Sequence, residues 1–290
     1  MIHQKLEEAY VNIPDCFDEM RTEEWRALLW CRGKMVRDKS VSMEDVRRYM
    51  ADLMLYLRGV KRPIIMRKAS RDLLVWNVAE TLDWMIRIEG NEVVIPVNTT
   101  FQLLPKYENL VGPDGHASNL TFGEFHHAVA AMNLYTKNHD EASLLALCAV
   151  LYRPKKHRGK RMPFRSEDMS YLMIEAAKIP EYIRWGIYAW FANLCDYIRT
   201  GTFNIYGQEL CFAPLFARKY RTDDEDSHPE PEGGDLGMNG ILLSVAESGV
   251  FGNLEDVQQA PLLSVLMKML QDYQQAEAIK QKSHVNNIGG

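Results

Sequence analysis

The sequence predicts a mainly α-helical fold, a multi-helix bundle with a short β or extended insertion near residues 91–119 and a tethered C-terminal helical segment. Apolar side chains recur at helical spacing, and residues that favour helix N-termini precede several of these stretches. A hydrophobic share of 47% over 290 residues is enough for a sizeable core. We therefore expect an N-terminal helical region 1–90, an extended or β arm with a loop 91–120, a central helical core 121–220, an acidic flexible linker 221–236 and a C-terminal helical segment 237–290.

Three helices are predicted in the N-terminal region. Thr22 precedes a segment with acids in its first turn and bases in its last, which suits the helix dipole. Ser42 is the expected cap of a second helix, which Gly59 ends. Residues 70–88 carry a broad apolar face and are expected to form the third helix.

The composition of the sequence changes after Gly90. The segments EVVIPV and TTFQLLP are short, β-branched and marked by proline, which indicates one or two strands or an extended arm. The following GPDGHASN has the composition of a loop. A small β-hairpin, an arm that lies on a neighbouring molecule and a partly ordered loop remain open for residues 91–119.

The central region begins with the clearest local signal. Thr121 and Glu124 form a Thr-x-x-Glu capping box, in which each side chain meets a free backbone N–H at the start of a helix. Asn138 is expected to cap the next helix, and Pro154 to end it.

Two further helices are predicted after the basic segment. Ser166 is expected to start one that runs to about Lys178. Pro180 suits the first position of the next, which is apolar nearly all round and which Gly201 ends. This last helix is the expected centre of the core.

The C-terminal region follows an acidic segment, residues 221–235, which is rich in Pro and Gly and has the composition of a flexible linker. A short helix is expected within residues 238–249, and Pro261 is expected to open the last helix. That helix has one apolar stripe, a candidate surface for docking to a partner or to another copy of the chain, formed by Leu262, Val265, Leu266, Met269 and Tyr273. Packing of this stripe on the chain's own core is an equal alternative.

The strongest local electrostatic feature is a basic run without any acid. It favours a patch for nucleic acid or for an acidic protein surface, and its members are Arg153, Lys155, Lys156, Arg158, Lys160, Arg161 and Arg165. A solvated loop between helices is the alternative, and the acidic linker could also shield the patch. Single-strand readers interleave aromatic side chains with their bases, whereas only Tyr152 and Phe164 lie nearby.

The sequence contains no recognisable catalytic motif, so we expect no catalytic residue, cofactor or metal site. Glu124 and His127 have the spacing of a Glu-x-x-His pair, but carboxylate-bridged iron proteins need a second such pair, which the chain lacks. A metal-dependent enzyme that uses Glu124, His126 and His127 remains the minor alternative.

Composition also bears on the compartment. The five cysteines form no CxxC pair, and Cys148 and Cys195 lie in apolar patterns that predict buried, unreacted thiols. The N-terminus does not resemble a secretory signal, and no apolar segment is long enough to span a bilayer. We expect a soluble protein in the cytoplasm of the host cell, or one associated with a virion, without a membrane partner.

Several blocks of the sequence carry a resemblance. IPDCFDEMRTEEWRALL near the start, NLTFGEFHHAVAAMNLY and LCAVLYRPK in the middle, and LLSVAESGVFGNLEDV near the end are similar to phage and prophage proteins of the Bacteroidales tail morphogenesis region. The resemblance covers the whole length in patches and attaches no active site to these motifs. It implies a role in tail or virion assembly, similar to a tail assembly chaperone, with a tape measure protein, a tube protein or another copy of the chain as partner.

Overall fold

The computed structural model describes residues 2–6, 9–59, 68–156, 160–205, 207–216 and 245–288 of the chain. These residues are mainly helical, as predicted, with a few small antiparallel sheets. The helices are α1 Thr22–Arg37, α2 Met43–Leu57, α3 Lys68–Ala79, α4 Phe122–Asn138, α5 Glu141–Leu151, α6 Met169–Ala176, α7 Glu181–Thr200, α8 Ala213–Phe216, α9 Leu254–Gln259 and α10 Leu262–Ile288. The strands are β1 Ile2–Leu6, β2 Ala9–Ile13, β3 Arg87–Glu89, β4 Glu92–Val94, β5 Lys106–Tyr107, β6 Leu110–Val111, β7 Arg153–Pro154, β8 Thr202–Ile205 and β9 Gln208–Cys211.

The N-terminal region begins with a hairpin that the sequence pattern did not predict. Strand β1 pairs with β2 in antiparallel register, so that Ile2 lies opposite Ile13. Helix α1 begins at Thr22 rather than after it, and the backbone N–H of Arg21 donates to Glu24 Oε2 at 2.9 Å. The predicted cap of α2 is confirmed, because the N–H of Asp45 donates to the Ser42 hydroxyl at 3.1 Å.

The third helix is shorter than predicted. Helix α3 ends at Ala79, and the Thr81 hydroxyl bonds the carbonyl of Val78 at 2.7 Å just beyond it. Leu82 and Ile86 are buried without being helical. Their helix-like spacing misled the sequence interpretation, because burial in a turn produces the same apolar pattern over a few residues.

The strand prediction near residues 91–119 holds in part, because EVVIPV contains strand β4, whereas TTFQLLP forms no strand. Strands β3 and β4 form one hairpin, and β5 and β6 form another. Strand β7 pairs with β6 from more than forty positions away, so the second hairpin becomes a three-stranded sheet. This sheet holds the start of the basic run against the central helices.

The capping box of α4 is confirmed, since the N–H of Glu124 donates to the Thr121 hydroxyl at 3.2 Å. The predicted cap of α5 is wrong by two residues. Asn138 is the last residue of α4, and Asp140 caps α5 by accepting from the N–H of Ser143 at 2.8 Å. His139 turns the chain between the two helices with a positive φ of 53°.

Helix α6 follows a 3₁₀ turn at Ser166–Asp168 and ends at Ala176, close to the predicted bounds. Helix α7 contributes many side chains to the core, as predicted. Pro180 is its N-cap rather than its first residue, because its carbonyl accepts from the N–H of Arg184 at 3.0 Å. Gly186 lets α1 cross closely, since a Cβ atom there would overlap the side chain of Leu29.

The last helix begins at Leu262 after Pro261, as predicted. Its start is tied to the start of α4, because the N–H of Leu262 donates to the carbonyl of Leu120 and the N–H of Phe122 to that of Ala260, both at 2.9 Å. The acidic linker 221–236 lies outside the described residues, as does most of the short helix predicted within 238–249. No helix in the described ranges has the length and apolarity needed to cross a membrane.

Candidate functional site

Glu124 is the centre of a buried cluster of charged side chains. Its carboxylate forms ion pairs with Arg153 and, at 2.7 Å, with Arg161. Arg153 also donates from Nε to the carbonyl of Met162 at 2.6 Å, and Arg161 donates to that of Leu151 at 3.0 Å. Burial lowers the pKa of Arg153 to about 10, and Glu124 opposes this shift. The cluster therefore joins the start of α4, the end of α5 and the basic segment.

This cluster changes the interpretation of the basic run. Arg153 is 1% exposed and Arg161 has a side chain that is only 6% exposed, so neither presents its charge to an outside partner. Both are counter-ions of Glu124, an acid that lies in a different part of the sequence. The exposed cations that remain are Lys155, Lys156, Lys160 and Arg165, and Arg158 lies outside the described residues.

The histidines do not form a metal site with Glu124. The two guanidinium groups occupy the Glu124 carboxylate, so it is not free to act as a ligand or as a base beside His127. His127 instead packs its ring against Phe164, with ring centroids 5.0 Å apart. In the part of the chain that the structure describes, Asp15, Cys16 and Glu19 have ligand atoms within 4.8 Å of one another, all on one turn near the surface.

The apolar stripe of the last helix lies largely inside the chain's own core. Leu262, Val265 and Leu266 are at most 2% exposed, whereas Met269 and Tyr273 are half-buried. The stripe was a candidate docking surface, but its first half is already covered by the fold. Residues 262–270 therefore pack on the chain's own core, which was the alternative interpretation.

A different surface presents aromatic side chains to solvent. We define the aromatic face as Trp30 and Lys34 of α1, Arg48 and Tyr49 of α2, and Trp76 of α3. Helix α2 packs between α1 and α3, so that the three helices present this face together. Trp30, Tyr49 and Trp76 are 39%, 46% and 40% exposed, which is unusual for side chains of this size.

Contacts within α1 and between neighbouring helices organise the face. The rings of Trp30 and Tyr49 have centroids 5.7 Å apart, tilted by 42°. Lys34 Nζ lies 5.2 Å from the Trp30 ring, and Arg48 Cζ lies 4.9 Å from the Trp76 ring. Such cation–π contacts hold the rings in place before any partner arrives. The face is therefore apolar at its rings and positive beside them.

The sequence interpretation missed this face because it assigned Tyr49 and Trp76 to apolar helix stripes. On α2 the buried stripe is Val46, Met50 and Met54, at four-residue spacing. Tyr49 lies one position from Met50, about 100° round the helix, and points away from the core. Ala51 has the same offset on the other side of Met50 and is buried, so the spacing alone does not distinguish Tyr49 from the core residues.

Comparison of the chain with protein-family models, with curated proteins and with solved structures found no match. The aromatic face is therefore identified as the candidate site from its geometry and composition alone. Trp, Tyr and Arg are the side chains that dominate the energetics of protein–protein interfaces, and the aromatic face contains all three. A protein–protein contact is the role that this arrangement suits best.

Proposed function

We propose that this chain is a non-enzymatic phage tail or virion assembly protein that acts through protein–protein contacts, with the aromatic face as its principal binding surface. The observation that carries the proposal is the exposure of three large aromatic rings on adjacent helices, held by two cations. Rings fixed in advance lose little conformational freedom on binding, which favours affinity.

The chemistry of the face suggests the partner. Lys34 and Arg48 give its margin a positive charge, although Arg48 also lies 3.7 Å from Glu44 in an exposed pair. An apolar helix with acidic residues beside its apolar stripe would complement this surface. A tape measure protein before tube polymerisation, or a tube protein, could offer such helices, and another copy of the chain is the remaining candidate.

The assignment to tails rests on the resemblance of TFGEF, LYRPK and the other blocks to phage and prophage proteins. The role proposed is that of a chaperone-like protein that holds a helical client. It requires stable binding and no chemical turnover, which is compatible with the engagement of Glu124 by two arginines.

Co-expression tests this proposal. The tagged chain would be produced together with a tape measure protein and a tube protein from the genome that encodes it, and purified through its tag. We expect one of these proteins to copurify, and the variant Trp30→Ala/Tyr49→Ala/Trp76→Ala to lose it. The variant Tyr171→Ala is the matched control, since Tyr171 is 48% exposed on α6. Failure of both proteins to copurify with the wild type would contradict the proposal.

Nucleic-acid binding is the second candidate, and one observation favours it. Lys155 and Arg161 form an antiparallel bridge, and the N–H of Lys156 donates to the carbonyl of Lys160 at 2.8 Å. Lys155, Lys156 and Lys160 are therefore close together, and all three are exposed. Such binding would weaken steeply as salt increases. Fluorescence anisotropy with labelled single- and double-stranded DNA at low salt is the test, with Lys155→Glu/Lys156→Glu/Lys160→Glu as the variant. No binding by the wild type would remove this candidate.

A further inference from the structure

A cleft lies on another part of the molecule, between α1, the β3–β4 hairpin, the end of α4 and α7. It consists of two adjoining cavities of about 240 and 410 Å³. Both are lined by the same five side chains, Arg32, Val36, Tyr135, His139 and Trp185. We call it the Arg32 cleft. The larger cavity is in the size range of small-molecule sites.

Arg32 has an unusual environment at the centre of this cleft. Its guanidinium carbon lies 3.3 Å from the centroid of the Trp185 ring, and Nε donates to the carbonyl of Val93 at 3.1 Å. Two contacts from different elements thus fix the plane of the group. Burial lowers the pKa of Arg32 to about 10, an effect that nearby acids oppose only in part. The side chain remains a cation at neutral pH.

The fixed cation lacks a partner of opposite charge. Among the residues that the structure describes, no carboxylate oxygen lies within 4.0 Å of the Arg32 guanidinium, and its two terminal nitrogens have no hydrogen-bond partner. Glu92 and Glu181 act on it from farther away. A partly buried charge without a counter-ion is costly, so such a group is a candidate for binding an anion. The planar pair of terminal nitrogens matches the two oxygens of a carboxylate.

The walls of the cleft indicate what the carboxylate is attached to. The rings of Tyr135 and Tyr188 pack edge to face with centroids 4.7 Å apart, and Trp185 forms the wall behind Arg32. The Tyr188 hydroxyl is already bonded to that of Thr136 at 3.1 Å, so Tyr188 offers mainly its ring. A flat, apolar body can pack against the Tyr135–Tyr188 pair, beside the guanidinium that covers Trp185.

The charged side chains that line the cleft indicate which kind of anion it would bind. The larger cavity is lined by two cations, Arg32 and Lys39, and by one acid, Glu92. This balance favours a ligand with a single negative charge. The smaller cavity adds one cation, Arg37, and two acids, Glu181 and Glu141, of which Glu141 is already paired with Arg184. The cations of the cleft therefore exceed its unpaired acids by a single charge, which would leave a dianion such as phosphate partly uncompensated.

We propose that the Arg32 cleft binds a small aromatic monocarboxylate, whose carboxylate accepts from both terminal nitrogens of Arg32 and whose ring lies against Tyr135 and Tyr188. The site is separate from the aromatic face, and its test does not depend on the proposed function.

Isothermal titration of the purified full-length chain tests the proposal with indole-3-acetate, phenylacetate and benzoate as probes. Indole-3-acetamide is the neutral match of the first, and inorganic phosphate is the dianion. We expect saturable binding of at least one carboxylate, and binding of the amide and of phosphate weaker by about tenfold or more, the effect of losing about 1.4 kcal/mol from a charge-assisted pair.

Variants assign the binding to Arg32. Arg32→Gln is expected to abolish carboxylate binding, and Arg32→Lys to weaken it by about tenfold because the charge stays while the paired donors are lost. Arg199→Gln, at an exposed arginine of α7, is expected to bind as the wild type does. Unfolding curves show whether each variant is folded. The proposal is overturned if no carboxylate probe binds, if indole-3-acetamide binds as well as indole-3-acetate, or if folded Arg32→Lys keeps wild-type affinity.

Discussion

Arg153 and Glu124 form a buried ion pair that joins strand β7 to the start of α4 across 29 positions of the sequence. Glu124 also completes the capping box of α4, so one carboxylate serves both local and long-range structure. Glu24 repeats the arrangement at the start of α1, where it bonds the N–H of Arg21 and pairs with Arg58 at 2.7 Å. In both places, an acid in the first turn of a helix is also the counter-ion of a distant arginine.

The first prediction concerns the stability that Glu124 provides. Glu124→Gln would leave Arg153 and Arg161 buried without a counter-charge, and we expect a loss of about 3–5 kcal/mol in the free energy of unfolding, measured by urea denaturation. The control is Glu89→Gln, whose pair with Arg87 is more than half exposed. The control should lose less than about 1 kcal/mol. Equal losses in the two variants would contradict the structural role of the cluster.

The second prediction separates the two halves of α10. Leu266 is 2% exposed, so Leu266→Ala should cost about 2–5 kcal/mol of unfolding free energy through lost burial and a cavity. Ile279 is 68% exposed on the same helix, and Ile279→Ala should change stability by about 0.5 kcal/mol or less. Chemical denaturation of both variants measures the difference. A Leu266→Ala protein as stable as the wild type would show that the start of this helix does not pack on the core.

The third prediction is a pH dependence from the two adjacent histidines of α4. Burial lowers the pKa of both His126 and His127 in the folded chain. The unfolded chain therefore takes up protons first, and the stability due to the neutral rings is lost as pH falls below the ordinary value of about 6.5. We expect the melting temperature to fall between neutral and mildly acidic pH.

Substitution tests the origin of this pH effect. His126→Gln/His127→Gln should reduce the fall in melting temperature, because the groups that take up protons on unfolding are gone. His139→Asn is the control, since His139 is exposed and Asn tolerates its positive φ. If the double variant and the control follow the same pH curve as the wild type, these histidines do not cause the effect.

The fourth prediction concerns thiol reactivity. Cys31 and Cys148 are buried, and burial raises the pKa of Cys31 to about 12 and that of Cys148 even further. Cys211 is exposed. Because the thiolate is the reactive form, iodoacetamide should modify Cys211 in the folded protein and the two buried thiols only after unfolding. Peptide mass spectrometry reads out each site, and early modification of Cys148 would contradict its burial.

The sequence predicted the features that depend on residues close together in the chain. The caps at Ser42 and Thr121 follow from side chains that reach a backbone N–H three positions away, and both are present. The class of fold and the start of α10 follow from apolar periodicity and from proline. In each case the atoms that form the structure are near neighbours in the chain.

What the sequence did not predict depends on distant partners. Arg153 was interpreted as part of an exposed basic patch, because no acid lies within the basic run. Its ion-pair partner, Glu124, lies elsewhere in the sequence. The hairpins β1–β2 and β8–β9 are too short for a strong alternation signal. The aromatic face was hidden because Tyr49 counts as apolar in any periodicity, and only the packing of α2 between two helices shows that it faces solvent.

The measurement that tests the central claim most directly is the affinity of the chain for its copurifying tail partner, determined by titration for the wild type and for Trp30→Ala. An aromatic anchor at the centre of an interface contributes at least about 2 kcal/mol, so we predict binding weaker by about 30-fold. Tyr171→Ala should bind as the wild type does, and both variants should keep the wild-type melting temperature. Wild-type affinity in folded Trp30→Ala and in the triple aromatic variant would contradict the claim that the aromatic face is the binding surface.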